Sequence, residues 1–270
     1  MPPSSDDAVA EEPLDGGLTN AGAVVRDGSD VLRPAGAQTD SIHRMLRAVR
    51  ARGFDGVPQP IGLDPDGRQR LRFIEGDVAV VPYPEWSQSD SALASIARLL
   101  RTFHDAVAEV DPAGLSFRDA LADPLGGDTI CHNDVELSNV VFRDGVAVAL
   151  IDFEFAALGR PVYDLAQLAR LCVPIEHEVD QQRMGWLPAD RPARLRVIAD
   201  AYGLDGAGRA AFLGAVDDAL GQVEAAAGRR FGIGDERADA LIAQTGGVEK
   251  YDRRRRWWSR HREAFAAALA

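Results

Sequence analysis

Short apolar runs broken by glycine turns open the chain, and long helical stripes close it. Leu14 leads into Asp15-Gly16-Gly17 and the polar Thr19-Asn20, after which Ala23-Val24-Val25 resumes the apolar texture. A second turn at Asp27-Gly28 precedes Asp30-Val31-Leu32-Arg33, so residues 14–33 predict a glycine-rich hairpin. The period then lengthens. Ile42, Met45, Leu46 and Val49 fall at +3, +4 and +7, one face of a helix that opens at Thr39 or Asp40 and stops at Gly53. Two further strands are predicted around 59–63 and 70–74, divided by the turn Asp64-Pro65-Asp66-Gly67. Residues 14–75 therefore read β-β-α-β-β.

Past Glu75-Gly76-Asp77 the texture changes. The proline-containing Val81-Pro82-Tyr83-Pro84 leads to a long helix from Ser89-Asp90, with the stripe Leu93, Ile96, Ala97, Leu100, Phe103, His104 and Val107. Residues 129–152 return to strand composition, with Val140-Val141-Phe142 and Val146–Ile151 flanking Asp144-Gly145. From 162 onward the chain is mostly helical and Ala-rich, and it contains no internal repeat. The expected fold is α+β with two lobes: an acidic disordered tail at 1–13, a small β-rich lobe at 14–76 and a larger, mostly helical lobe at 77–270. Clefts between lobes are favoured ligand sites.

Composition narrows the function classes. No apolar run approaches the ~18–20 residues of a membrane span, and MPPSSDDAVAEEP has the opposite charge order to a signal peptide. Cys131 and Cys172 are too few for a disulfide framework or a zinc knuckle, so a cytoplasmic location is expected. A net charge of −12 argues against a nucleic-acid surface and is compatible with a cationic small-molecule partner. Among 30 basic residues only Lys250 is a lysine.

The chemistry is concentrated in His132-Asn133-Asp134-Val135-Glu136-Leu137-Ser138-Asn139 and the downstream Ile151-Asp152-Phe153-Glu154. If 140–142 and 146–151 pair around Asp144-Gly145, the hairpin is entered and left at one end. Asn139 and Asp152 then stand side by side on backbone held by a sheet. An amide oxygen and a carboxylate on rigid supports suit Mg²⁺, which keeps its other positions for water and phosphate oxygens. Asp134, five residues before Asn139, lies close enough to orient an incoming hydroxyl and accept its proton.

These residues match the H-x-D-x-x-x-x-N loop and following metal-binding Asp of kinase-like phosphotransferases. The hairpin, Phe73-Ile74-Glu75-Gly76, Leu100-Arg101-Thr102-Phe103-His104-Asp105 and Pro161-Val162-Tyr163-Asp164-Leu165-Ala166 occur in the order seen in the aminoglycoside-phosphotransferase family, which residues 14–170 thus resemble. The resemblance implies a protein-kinase-like two-lobed fold and transfer of the γ-phosphate of ATP or GTP, with Mg²⁺, to a small-molecule hydroxyl. It makes Asp134 the catalytic base and Asn139 and Asp152 the metal ligands. Gly16, Gly17 and Asn20 would cover the phosphates, Phe73 and Glu75 would form the nucleotide-side hinge, and His132 and Asp164 would support the loop. An antibiotic is the leading acceptor class, with amino alcohols and sugars behind it; a kinase-like immunity protein that binds a toxin or antibiotic is the rival.

Two positions depart from the family pattern. Asn133 stands where glycine is usual and implies a different loop conformation. Arg33 replaces the phosphate-contacting lysine, and the next helix offers His43 and Asp40 in place of a glutamate. Alternation along 30–33 turns Arg33 toward the cleft, with Asp40 or another acid expected to hold it.

Other patterns read as scaffold. Lys250 has no Walker glycines and no G-x-S-x-G elbow occurs. The basic-aromatic run 251–258 shares its stripe with Phe265 and Leu269, which makes it an amphipathic helix whose arginines snorkel. The acids Glu176, Glu178, Asp180, Asp217 and Asp218 are more simply solvated helix faces than contacts for a cationic substrate.

Overall fold

The computed structural model describes residues 11–14, 23–230, 239–240, 242–243 and 246–270. Gly16, Gly17 and Asn20 lie outside the described residues.

The N-terminal lobe is an antiparallel sheet in the order β1-β2-β3-β5-β4, from Glu12–Pro13 (β1), Val25–Asp27 (β2), Asp30–Arg33 (β3), Pro60–Leu63 (β4) and Gln69–Arg72 (β5). Helix α1, Thr39–Ala51, buries Met45, Leu46 and Val49, the face its periodicity marked. Part of the stretch expected as a loose tail is an edge strand: Glu12 pairs with Arg26, and Glu11 receives both terminal amino groups of Arg68, at 3.1 and 2.8 Å. Such a fork is a charge-assisted contact that leaves no apolar period to read.

Strand β6, Asp77–Val78, leaves this lobe and pairs with β8 (Val140–Arg143), which pairs in turn with β9 (Val146–Leu150). The linker is therefore stitched onto the hairpin that carries the candidate site. Gly76 makes the join possible, with φ +146° and a Cβ position only 2.4 Å from the Phe142 carbonyl oxygen.

Strand β7 (Thr129–Cys131) pairs with β10 (Ala157–Gly159) and brackets that hairpin in sequence. Helix α2, Asp90–Val107, starts where Ser89 Oγ accepts the Ala92 N–H, and it packs on β9 and on the helix Arg191–Tyr202. Helices α3 (Pro161–Cys172), α4 (Glu178–Arg183), α5 (Arg191–Tyr202), α6 (Gly206–Arg230) and α7 (Glu249–Leu269) complete the larger lobe. One continuous apolar core runs from α1 through α2 to α7, with Phe54 and Phe103 touching across the lobes at 6.3 Å. No helix among the described residues is long and apolar enough to cross a membrane.

The basic run on α7 does more than snorkel. Arg253 holds Asp180, Arg254 is buried against Glu176 at 3.0 Å, and Arg255 pairs with Glu224. Trp257 and Trp258 donate to Glu178 and Asp217, while Arg160 takes Asp218. The acids of 176–180 and 217–218 thus bind the helices together and are not the solvated faces expected of them, Asp180 being buried outright.

Gly76→Ala is expected to lower stability by about 1–3 kcal/mol through overpacking and backbone strain, read as a drop in Tm.

Candidate active site

A loop between strands must find partners for its buried backbone groups. Here Asp164, on the first turn of α3 and fully buried, supplies them: Oδ2 accepts the His132 N–H at 2.6 Å and Oδ1 accepts the Asn133 N–H at 2.8 Å. His104 Nε2 also bonds Oδ2 at 2.9 Å, and its Nδ1 meets the Tyr202 hydroxyl at 2.7 Å. With Asp164 ionised, Nε2 is the donor of that contact. Burial alone would raise the Asp164 carboxyl. The His104 hydrogen bond, the nearby imidazoles and the His132 N–H outweigh it and hold the group below its ordinary value.

His132 joins the two halves of the site. Its Nε2 lies 2.9 Å from the Ile151 carbonyl oxygen, immediately before Asp152, and its Nδ1 accepts the Asp134 N–H at 3.3 Å. Burial lowers its pKa, which favours the neutral ring these two contacts require.

Asn133 has φ +65°. The residue standing in for glycine therefore adopts a left-handed backbone, a region that glycine enters without steric cost. Asparagine tolerates this region better than other L-residues. Its Nδ2 donates to the Phe155 carbonyl, while its buried Oδ1 has no partner among the described residues.

Asn139 closes the loop by donating Nδ2 to the Asp134 carbonyl at 2.9 Å and to its carboxylate at 3.1 Å. The amide is thereby oriented, and Oδ1 is the atom left to face a cation. Ile151 N–H bonds the Asn139 carbonyl, so Asn139 and Asp152 flank the open end of the hairpin as its geometry predicts. Asp152 itself has φ +62°.

Charge is concentrated here. Burial pushes the Asp134 carboxyl well above its ordinary value, and the negative charge of Glu136 adds to this; Arg170 opposes it, while Asp152 and Glu154 reinforce it. Glu136 is raised by burial against a hydrogen bond from Ser138 and the charge of Arg170. Glu136, Glu154 and Arg170 were not singled out in the sequence. The first two sit two residues beyond Asp134 and Asp152, a spacing that could have flagged them. Arg170 carried no signal apart from its place on α3.

Arg33 faces the cleft, and of the partners expected for it the structure supplies another acid in place of Asp40. Nη2 lies 2.7 Å from Asp152 Oδ1 and 3.9 Å from Glu154, not against Asp40, which is exposed at the start of α1. The cation on β3 is held by the candidate metal ligand. Phe73 and Glu75 lie away from this cluster, on Arg26: its guanidinium sits 4.0 Å from the Phe73 ring centroid and 2.9 Å from Glu75.

His104, Cys131 and Asp164 converge closely enough to resemble a metal cluster. The lone pairs are already spent, since His104 donates to Asp164 and burial pushes the Cys131 thiol well up.

The phosphotransferase enzyme family's sequence profile matches residues 115–213, the stretch holding the loop, the hairpin and Asp164. Trifolitoxin immunity protein of Rhizobium leguminosarum bv. trifolii is 33% identical over 266 residues, covering 94% of this chain and 98% of that protein. The chain belongs to the phosphotransferase enzyme family. Its fold is the protein-kinase-like one of this family. A choline/ethanolamine kinase family protein from Mesorhizobium loti superposes with TM-score 0.63 at 18% identity, covering 98% of this chain and 94% of the other. The gentamicin complex of APH(2")-IIa gives 0.57 at 15%, covering 96% and 94%. Amicoumacin kinase hAmiN, solved with AMP-PNP, Ca²⁺ and Ami, gives 0.59 at 10%, covering 85% and 84%.

In this family member, Asp164→Asn should cost at least about 1–3 kcal/mol, because a buried amide cannot accept from all three donors. The native carboxyl titrates below its unfolded value of 3.8, so its contribution is complete above that pH and fades as pH falls through the folded pKa. Denaturation series at pH 7 and at pH 3 should show the gap between wild type and Asp164→Asn narrowing at the lower pH.

Proposed function

We propose that this phosphotransferase is a small-molecule kinase that moves the γ-phosphate of ATP or GTP to a hydroxyl. The observation that carries the reading is the convergence of Asp134, Asn139 and Asp152 on one rigid loop-and-hairpin frame, fixed from below by Asp164 and His132.

Asp134 orients the acceptor hydroxyl and takes its proton. Asn139 Oδ1 and Asp152 would hold Mg²⁺, and the donor set fits it: hard oxygens on a fixed backbone within an excess of negative charge that already raises Asp134. Bound there, the metal would supply charge neutralisation for the phosphates. Gly16, Gly17 and Asn20 would close over the nucleotide from the N-terminal lobe, with Arg33, Phe73 and Glu75 lining its side.

The acceptor is placed against the helices after residue 170. A cavity of about 430 Å³ opens between Trp86, Pro174, Trp186 and Leu187, a size suited to a small molecule. Trp186 packs on Tyr83 at 4.9 Å, and Glu136 and Asp134 help raise that tyrosine's pKa beyond the effect of its burial. Tyr83 shares the core with Val135 and Leu137 of the loop. The cavity's own charged lining is Glu85, Arg191 and Arg194, and the two arginines are held by Glu178 and Asp90, so a neutral or cationic acceptor fits best. Antibiotics lead as the class, ahead of amino alcohols and sugars.

A second reading, sequestration of a toxin or antibiotic without turnover, draws on the relative's name and on Arg33 occupying Asp152. Asp134→Asn separates the two. With a panel of hydroxylated antibiotics and metabolites, nucleotide-dependent phosphorylation should fall ~10²–10⁴-fold in Asp134→Asn while nucleotide binding is retained. Protection of a sensitive host by Asp134→Asn at the wild-type level would instead establish sequestration. Trp86→Ala should raise KM for the acceptor by up to about tenfold, the scale of one lost aromatic contact, and leave KM for nucleotide unchanged.

A further inference from the structure

We infer that Arg33 and a divalent cation compete for Asp152, so that metal alone binds weakly and binds best together with nucleotide. This rests on the kinase reading above and concerns how its site fills.

The pair spans the lobes: Arg33 ends β3 and Asp152 follows β9, with Nη2 at 2.7 Å from Oδ1. It is largely shielded, with 14% of the Arg33 side chain and 24% of the Asp152 side chain exposed. Screening is weak in such a setting, so two cations on one carboxylate repel strongly. Position matters as well. Nη2 sits at hydrogen-bonding distance from the oxygen the metal would take, and Mg²⁺ keeps several of its waters when it binds. A hydrated cation at Oδ1 therefore needs Arg33 to move.

The resting pair is also incomplete. Arg33 Nε is buried with no partner among the described residues, and α1 brings no carboxylate to the guanidinium. A guanidinium offers five donors in a planar fork matched to phosphate oxygens. Nucleotide phosphates would satisfy donors that Asp152 and Glu154 leave unused, and in doing so would free Asp152 for the metal. Arg33 is thus a positioning residue with opposite effects on the two ligands: its charge opposes the metal and favours the nucleotide.

Mn²⁺ binding followed by electron paramagnetic resonance, on the full chain without nucleotide, tests this. Arg33→Gln should bind Mn²⁺ about tenfold more tightly than wild type, the scale of losing one charged hydrogen bond, while AMP-PNP affinity measured by calorimetry at saturating Mn²⁺ should fall. Arg33→Lys, which keeps the charge, should stay near wild type for Mn²⁺. Arg44→Gln, the same charge loss elsewhere on the N-terminal lobe, should leave Mn²⁺ binding unchanged. Asp152→Asn should abolish the gain in the Arg33→Gln background. Unchanged or weaker Mn²⁺ binding in Arg33→Gln, with Asp152-dependent binding present, would overturn the competition alone. Absence of any Asp152-dependent Mn²⁺ binding, with or without AMP-PNP, would overturn both the competition and the metal assignment beneath it.

Discussion

The buried carboxylate of Asp164 is the contact on which the rest of the site depends. A loop that presents Asp134 to a cleft leaves two consecutive N–H groups, those of His132 and Asn133, inside the protein with no strand partner. One ionised carboxylate accepts both and a histidine as well. Without it, the loop would leave buried donors unsatisfied, each at a cost of about 1–3 kcal/mol. Through His104 and Tyr202 the same carboxylate is tied to α2 and α5. The geometry of this loop is consequently a property of the helical core and not of the loop's own residues. His132 carries that order across to Asp152 by bonding the preceding carbonyl.

Charge is distributed to match. In the helical lobe, arginines consume the acids: Asp180 is held by Arg183 and Arg253, Glu178 by Arg191, and Asp217 by Arg262. Lys250, the only lysine, is half-buried beside this network and lowered to about 8 by desolvation, with Glu176 opposing the shift. A planar guanidinium suits such shared contacts better than an ammonium does, because one group can serve a carboxylate and a carbonyl together. Arg194 does so with Asp90 and the Gln88 carbonyl. The chain's formal charge of −12 therefore overstates what a ligand meets on these helices. Around the loop the balance is different: Asp134, Glu136, Asp152 and Glu154 gather near Arg33 and Arg170, and burial raises Asp134 and Glu136.

Much of this was legible in the sequence, and for identifiable reasons. Helices α1 and α2 showed their buried faces because 3.6-residue spacing is set by local geometry. The 140–150 hairpin followed from two β-branched runs around Asp144-Gly145, and its closure alone placed Asn139 beside Asp152. The spacing of His132, Asp134 and Asn139 then made the loop recognisable. In each case the determining information lies within a few residues along the chain.

What needed the tertiary structure were contacts between distant residues. Asn133 could be read as a departure from glycine, but whether its backbone turned left-handed depended on Asp164, 31 residues away, capturing its N–H. Arg33 could be aimed at the cleft by strand alternation, whereas its choice of Asp152 over Asp40 depended on how two lobes 119 residues apart close together. Glu11 on Arg68 and Arg254 on Glu176 are of the same kind. Alternation and periodicity specify which side of an element a side chain occupies. Which charge it meets there is decided by packing, because electrostatic partners are selected by distance in space and leave no period in the sequence.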